Sequence, residues 1–557
     1  MELKHKKIYF YLASFIILSI VIILRISNLF VPFERDEGLY AYIAQRLSLG
    51  DIPYKDVFDS KPPMIDILYW IAFRIFGESE LSVRIFMNIY TFAGAYALYL
   101  ITKRIFSYRI GLLSAITFLI VTMSPTVFGQ SANTEIFMAL PIILAISLLW
   151  RGSETNNHRL FFLAGLLLGL AYLTKQVAIF YIAGFIPLIC LTIWLENNNW
   201  KNLLLYIGGA IIPFGLSIII YFLLGALQQY YEDTILFSIS FAQQIPNNLF
   251  IILHTLIPPL FGIIKENIFL TIFALVGLHK LVTDTRNALT SQKGEKLDFI
   301  SVYRENKRQL YFFFWILAAI LATSGGYRYY PHYFIFIVTP CAVLVAIGID
   351  QIIEQTYKLK SDRWHKFIFL FLMIIFVSPF FISKAYWLAA PNTRARILYS
   401  KFNPFSEARI ISSHIKENTN PADKIFIIGS EPEILFLSQR QSASKYAIIY
   451  PLTAPNSLTT TRQIKAMEEL VQNKPAYIII INSQTSILKN KNTPPDFFQF
   501  IKKSLDTSYI LDGIIIIGDI YNENRYFLGK LALNTFFSNK TQYLEPNDYT
   551  IELYKHN

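Results

Sequence analysis

The chain has 557 residues, of which 54% are hydrophobic and 16% charged. That excludes an ordinary soluble protein of this length and indicates a polytopic membrane protein. The net charge of +12 fits lysines and arginines in cytoplasmic loops and points away from nucleic acid as a partner. Cys190 and Cys341, the two cysteines, both sit in apolar runs, so neither a disulfide framework nor a cysteine metal cluster is expected.

The N-terminal MELKHKK precedes an apolar run that reaches about residue 32 without a small-residue cleavage site, which reads as an uncleaved first span. A span needs about 20 apolar residues, fewer where neighbours shield a short helix. Spans are expected near 8–31, 82–102, 109–127, 134–150, 159–174, 177–195, 202–224, 266–282, 310–324, 332–353 and 366–385. Their basic ends are Lys4, Lys6 and Lys7; Lys103, Arg104 and Arg109; Arg151 and Arg159; Lys201; Lys280, Arg286, Lys293, Lys296, Arg304, Lys307 and Arg308; and Lys358, Lys360, Arg363 and Lys366. Threading these ends inside satisfies the positive-inside rule throughout. The N-terminus is then cytoplasmic, and about eleven spans place the C-terminal segment outside. A membrane domain over 1–385, with a large first external loop at about 32–81, is followed by an external domain over 386–557.

The external loops collect the polar residues of interest: Asp36, Glu37 and Lys61 in the first, Glu135 at the end of the second, Lys175 in the third, and Arg328 and His332 in GGYRYYPHY. The fourth loop, at about 225–265, holds LFIILHTLIPPLFGII, which is too interrupted to span simply and suits the membrane interface. Beyond residue 386, apolar runs shorten to strand length at Lys424–Gly429, Tyr446–Tyr450, Ala476–Ile481 and Gly513–Gly518. Helical segments at 405–417, 459–473 and 496–505 alternate with them, predicting a soluble α/β domain with a largely parallel sheet. Residues 525–529 and 549–554 are expected as edge strands. Gly429-Ser430-Glu431-Pro432-Glu433 lacks the G-x-G-x-x-G pattern, so no dinucleotide site is assigned.

A transfer reaction with a phosphate leaving group needs a base for the incoming hydroxyl, cations for the departing phosphate, and a place where a lipid tail stays in the bilayer. Asp36 is the candidate base. Glu37 either orients Asp36, binds a cation or starts the next helix, where acids are favourable; adjacent helical residues do not share a face, so the two differ in role. Glu34 and Arg35 read as a solvated charged loop. Lys61, held by Pro62-Pro63, suits a phosphate, or else snorkels at a helix mouth; Lys175 has the same two readings. Arg328, with four tyrosines around it, is a bidentate phosphate clamp or part of an aromatic belt. His332 is a phosphate donor, a metal ligand or an ordinary hydrogen-bonding residue. Glu135 starts a span behind the caps Asn133 or Thr134, where a carboxylate is structurally favourable. Tyr40 and Tyr333 support the same site. No clear metal site forms, although a divalent cation on Asp36, Glu135 and His332 is compatible with the pattern.

RDEGLYAYIAQRLSLGDIPYKD, DSKPPMIDILYWI, SANTEIFMALP, GLAYLTKQVAIF and YRYYPHYFIFIVTP, in this order over about residues 30–345, resemble the successive motifs of GT-C glycosyltransferases. The resemblance is to the bacterial branch akin to protein O-mannosyltransferases and the lipid A aminoarabinose transferase. GSEPEILFLSQRQSASKY resembles the soluble tail of some bacterial members. The resemblance implies an enzyme of the bacterial cytoplasmic membrane that moves a sugar, with inversion, from a polyprenyl-phosphate carrier at the outer face to a hydroxyl of a glycan, lipid or protein acceptor. It maps the general base to Asp36, the second acidic position to Glu135, where many relatives have Asp, and the carrier-phosphate lysine to Lys61. Arg328 and His332 match the later basic motif less closely. Two other classes fit a polytopic chain with a folded tail: a lipid-linked saccharide transporter, which predicts mid-span charges or inverted repeats, and a non-catalytic scaffold, whose external carboxylates would be dispensable.

Overall fold

The computed structural model describes residues 2–557 except 197–198, 245–247, 292–298, 359–361, 401, 519–523 and 539–548. Lys293, Lys296 and Lys360, and the side chains of Lys4, Lys6 and Lys7, lie outside the described residues. The membrane part runs α1 (Glu2–Ser27), α2 (Arg35–Ser48), α3 (Met64–Phe76), α4 (Glu80–Ile105), α5 (Tyr108–Val121), α6 (Thr134–Thr155), α7 (His158–Thr174), α8 (Ile179–Leu195) and α9 (Lys201–Leu223). Short helices α10 (Leu227–Tyr231) and α11 (Phe237–Ala242) flank a π-helical turn at Glu232–Leu236, followed by α12 (Leu249–Glu266), α13 (Ile268–Ser291), α14 (Phe299–Ser324), α15 (Ile335–Tyr357) and α16 (Asp362–Ile382).

Each of the expected spans falls on one helix: α1, α4 to α9, and α13 to α16. Eight helices among the described residues are long and apolar enough to cross a membrane; α5, α7 and Lys366–Ile382 are shorter apolar helices. Glycines let some of them approach backbone to backbone. A Cβ at Gly165 or Gly169 of α7 would strike the Tyr206 or Ala210 carbonyl of α9, and one at Gly277 of α13 would strike Leu344 of α15. Small residues at such crossings bring membrane helices into close van der Waals contact.

The interrupted apolar stretch of the fourth loop is a continuous helix, α12, despite Pro258 and Pro259. It starts where the Asn248 side chain accepts from the Phe250 amide. Although it is long and apolar enough to span, its first half and its last residue both meet turns at one end of the bundle. Thr255 donates to the Tyr327 carbonyl at 3.2 Å, and Glu266 accepts from the Thr126 amide at 3.2 Å. It therefore lies across the helix ends.

The tail opens with α17 (Lys384–Trp387), α18 (Pro391–Tyr399) and α19 (Ala408–Asn418) and continues β1 (Lys424–Ile428), α20 (Glu433–Ser438), β2 (Gln441–Ser442), α21 (Tyr450–Thr453), α22 (Thr459–Asn473), β3 (Tyr477–Ile481), α23 (Gln484–Ile487), α24 (Asp496–Ser508), β4 (Tyr509–Ile517), β5 (Arg525–Leu528), α25 (Lys530–Ser538) and β6 (Tyr549–His556). The strands form one sheet in the order β2-β1-β3-β6-β4-β5. Only β1 with β2 and β1 with β3 pair in parallel; β3–β6, β6–β4 and β4–β5 are antiparallel. The sheet is thus mixed rather than largely parallel, because the last strand returns into its middle. β5 is an edge but β6 is central, so one of the two expected edge strands is misplaced. The expected Tyr446–Tyr450 strand is a loop leading into α21, and Gln441–Ser442 pairs instead. Its apolar residues are buried all the same, Ile448 and Ile449 at 1% or less, which is why the run mimics a strand.

The tail seats on the first loop. Phe436 of α20 stacks on Phe73 of α3 with ring centroids 5.5 Å apart, and the Ser442 amide donates to the Tyr42 hydroxyl at 2.8 Å. Gly38 of α2 packs directly on the backbone of Glu433.

Candidate active site

Glu34 caps α2, and the Glu37 carboxylate accepts from the Glu34 amide at 3.2 Å, closing a capping box. Glu37 turns inward. It is fully buried, accepts from the Ala132 amide at 2.6 Å and pairs with the Arg84 guanidinium, which also donates to the Gln130 carbonyl. This network ties the first loop to α4 and to the turn before α6. Asp36, one position earlier, faces the opposite way and keeps 29% of its side-chain surface exposed.

Lys61 is fixed from its backbone outward. Asp59 Oδ1 accepts from the Ser60 amide at 2.6 Å and the Lys61 amide at 3.1 Å, and the Tyr54 hydroxyl donates to the Lys61 carbonyl at 2.7 Å. The Lys61 ammonium then stands 3.6 Å from Asp36 Oδ2 and 5.5 Å from the Tyr40 ring centroid. Tyr40 is fully buried, and its hydroxyl has no hydrogen-bond partner among the described residues.

A second ion pair lies beside the first. Glu135, in the first turn of α6, pairs with Lys175, which follows α7. The Lys175 ammonium sits 3.8 Å from the Tyr333 ring centroid, and His332 Nε2 lies 4.0 Å from Glu135 Oε1. Lys175 is therefore a buried, paired lysine and does not snorkel. Glu135 lies behind it, away from the cavity wall. Among the described residues no group of three or more His, Cys, Asp or Glu is placed to hold a metal ion.

Arg328 stands in a tight loop, with Gly326, Tyr327 and Tyr329 all at positive φ. Its guanidinium donates to the Phe241 carbonyl at 2.9 Å and to Gln244 at 3.2 Å, and lies 3.6 Å from the Phe241 ring centroid. Cation–π contact and two hydrogen bonds hold its head at the cavity rim.

One cavity of about 980 Å³ joins Asp36, Lys61, Lys175, Arg328, His332 and Tyr333. Ile179, Ile182 and Ile186 of α8 and Ile207, Ile211 and Phe214 of α9 line its apolar side. Tyr399, Asn403, Phe405, Tyr450 and Leu488 of the tail line another side. Burial alone would raise the Asp36 carboxyl, but Lys61, followed by His332, Arg35 and Lys175, outweighs it and holds the group below the ordinary aspartate range. Asp59 is pushed up to about 6, by burial first, against the pull of Lys61.

Glu34 and Arg35, expected as a solvated loop, are instead part of the tail interface. Arg35 donates to the Ser430 carbonyl at 2.9 Å and the Thr485 carbonyl at 2.9 Å, while Glu34 Oε1 is buried without a partner. Sequence reading also passed over Asp59, Tyr54 and Tyr450. Asp59, two residues before Lys61, carries the signature of a side chain that caps its own turn; nothing local marks the other two.

Two family models match the chain. Dolichyl-phosphate-mannose-protein mannosyltransferase matches residues 60–226, which contain Lys61, Glu135 and Lys175, and the competence-induced protein Ccs4 C-terminal domain matches residues 405–509. Among solved structures, the chain resembles ArnT from Cupriavidus metallidurans in the apo state, with a TM-score of 0.53 at 11% identity, over 96% of this chain and 97% of that one. The same ArnT bound to undecaprenyl phosphate gives a TM-score of 0.53 at 12% identity with the same coverage. The fold is that of the GT-C membrane glycosyltransferases. The mannosyltransferase family match lies within the membrane part, and the likeness in fold extends over both the membrane part and the tail. No curated protein matches the chain by sequence. Residues of the first loop, of the turns before α6 and after α7 and of the turn before α15 line one cavity.

Proposed function

We propose that the protein transfers a sugar from a polyprenyl-phosphate donor to an acceptor hydroxyl, with inversion, at the outer face of the bacterial cytoplasmic membrane. The observation that carries this reading is the single cavity that joins an apolar lane between α8 and α9 to the Asp36–Lys61 pair. The lane suits a polyprenyl tail, and the ArnT structure holding undecaprenyl phosphate is of the same fold. Membrane lipids border the lane, and the acceptor, a glycan, lipid or protein, enters from the tail side.

Asp36 accepts the proton of the acceptor hydroxyl as its oxygen attacks the anomeric carbon. The bond from that carbon to the phosphate oxygen breaks, and the oxygen leaves with the electron pair. Lys61 releases Asp36 and takes the developing phosphate charge, with Arg328 at the rim. Glu135 holds Lys175 in place beside the phosphate, and His332 completes that wall. Tyr40 and Tyr333 present ring faces to the two ammonium groups. With no three-ligand group among the described residues, no step is assigned to a divalent cation. The reading gives the protein two parts, a membrane domain over 1–385 and an external domain over 386–557 that walls the acceptor side.

The test is sugar transfer from labelled polyprenyl-phosphate sugars by wild type and Asp36→Asn. Loss of transfer with retained undecaprenyl phosphate binding is expected. Wild-type turnover in the variant removes Asp36 as the base.

A further inference from the structure

A buried group of three charges lies outside the site just described. Asp233, in the π-helical turn between α10 and α11, accepts from Lys445 at 2.6 Å and from Arg462 at 3.1 Å. Asp233 is 2% exposed, Lys445 7% and Arg462 5%. Burying one carboxylate with two cations is expensive, and apolar residues of similar size would hold two surfaces together as well or better. The π-turn is itself a costly insertion, found mostly where function needs it. These costs point to a geometric task.

The partners of the triad identify that task. Lys445 uses its own carbonyl to accept from the Phe58 amide at 3.0 Å, one residue before Asp59. Arg462 lies over the rings of Phe58 and Phe237, with centroids 5.4 and 5.0 Å away. Five residues on from Lys445, the Tyr450 hydroxyl meets the Ser60 hydroxyl at 3.2 Å. From the other side of the π-turn, the Thr234 carbonyl and the Ser60 carbonyl both accept from Gln176 Nε2, at 3.0 and 2.8 Å. Phe58 and Ser60, on either side of Asp59, are thus held from the tail by Lys445, Arg462 and Tyr450, and Ser60 also by Gln176.

We propose that the Asp233–Lys445–Arg462 triad is a positioning device through which the C-terminal tail sets the Phe58–Lys61 loop, and with it the lysine that receives the lipid phosphate. The proposal rests on the phosphate-binding role given to Lys61 above. It makes the tail a working part of the donor site, although Lys445 and Arg462 do not line the cavity. The triad acts on the phosphate end of the donor alone, because the lane that takes the tail is built from α8 and α9.

The experiment compares binding of undecaprenyl phosphate and of uncharged undecaprenol to the full-length protein in nanodiscs. Wild type is expected to prefer the phosphate, and Lys61→Ala to lose that preference. Lys445→Met and Asp233→Asn should each weaken undecaprenyl phosphate binding about tenfold, within the range of coupled sites, while undecaprenol binding stays unchanged. Lys445→Arg should restore most of the phosphate preference. On a Lys61→Ala background, Lys445→Met should have no further effect. Wild-type phosphate preference in Lys445→Met and Asp233→Asn, or equal weakening for both lipids, overturns the triad's role while leaving the Lys61 reading intact. A Lys61→Ala protein that still prefers the phosphate overturns that reading, and the inference with it.

Discussion

Asp36 and Lys61, 25 residues apart in the chain, face each other across the cavity at 3.6 Å. The lysine masks the carboxylate proposed as the base and, with His332, Arg35 and Lys175, keeps it below its ordinary range against the effect of burial. Replacing Lys61 by Gln removes the largest of these stabilising charges, so the Asp36 carboxyl should protonate at higher pH. The acidic limb of the kcat/KM profile should therefore move upward by about one pH unit. A limb that stays in place in Lys61→Gln would assign it to another group.

Arg84 and Glu37 form a pair of the opposite kind, buried and outside the cavity lining. Arg84→Met leaves an unpaired carboxylate in the interior and should cost about 3–5 kcal/mol. The double variant Arg84→Met/Glu37→Leu should recover a large part of that loss. Thermal unfolding of the detergent-solubilised chain measures both.

Gly38 carries the closest approach of the first loop to the tail. A Cβ there would lie 2.6 Å from the Glu433 amide nitrogen and 2.9 Å from its Cα. Since backbone cannot swing aside as a side chain can, Gly38→Ala should push α20 away at a cost of about 1–3 kcal/mol. Faster hydrogen exchange over Glu433–Ser438, with the spans unaffected, is the expected signature.

Glu34 at the same interface is pushed up to about 8, by burial first and then by the negative charge of Asp36 and Glu37. A carboxyl raised in the folded state stabilises that state while it is protonated. The contribution is complete below the ordinary carboxylate range and fades as pH rises towards about 8. Glu431 and Glu433 are raised in the same direction, burial again leading, so tail docking should weaken from pH 5 to pH 8.5. Glu34→Gln should flatten this slope, read as Tm against pH; an unchanged slope would leave the dependence to Glu431 and Glu433.

The spans were legible from the chain because hydropathy over about 20 residues is a local quantity. The helix expected at 459–473 matches α22 for the same reason, its apolar residues recurring at helical spacing. Asp36 and Lys61 were singled out by the motifs they stand in, and the structure brings them to 3.6 Å of each other. Where the reading failed, the missing information was a distant partner. Tyr446–Tyr450 has strand composition, but β1 pairs with Gln441–Ser442 instead, and its buried surface is satisfied in a loop. Arg35 looked solvated because its acceptors lie about 400 residues away in the chain.

By itself, the sequence determined which segments are apolar enough to become helices of the bundle and which runs are short enough for strands. Only the tertiary structure decided that Glu135 spends its charge on Lys175, that β6 returns to the middle of the sheet, and that Arg35, Asp233, Lys445 and Arg462 join the tail to the first loop. The physical reason is one of range. Hydrophobic periodicity acts between residues a few positions apart, whereas an ion pair is fixed by the packing that brings its members together.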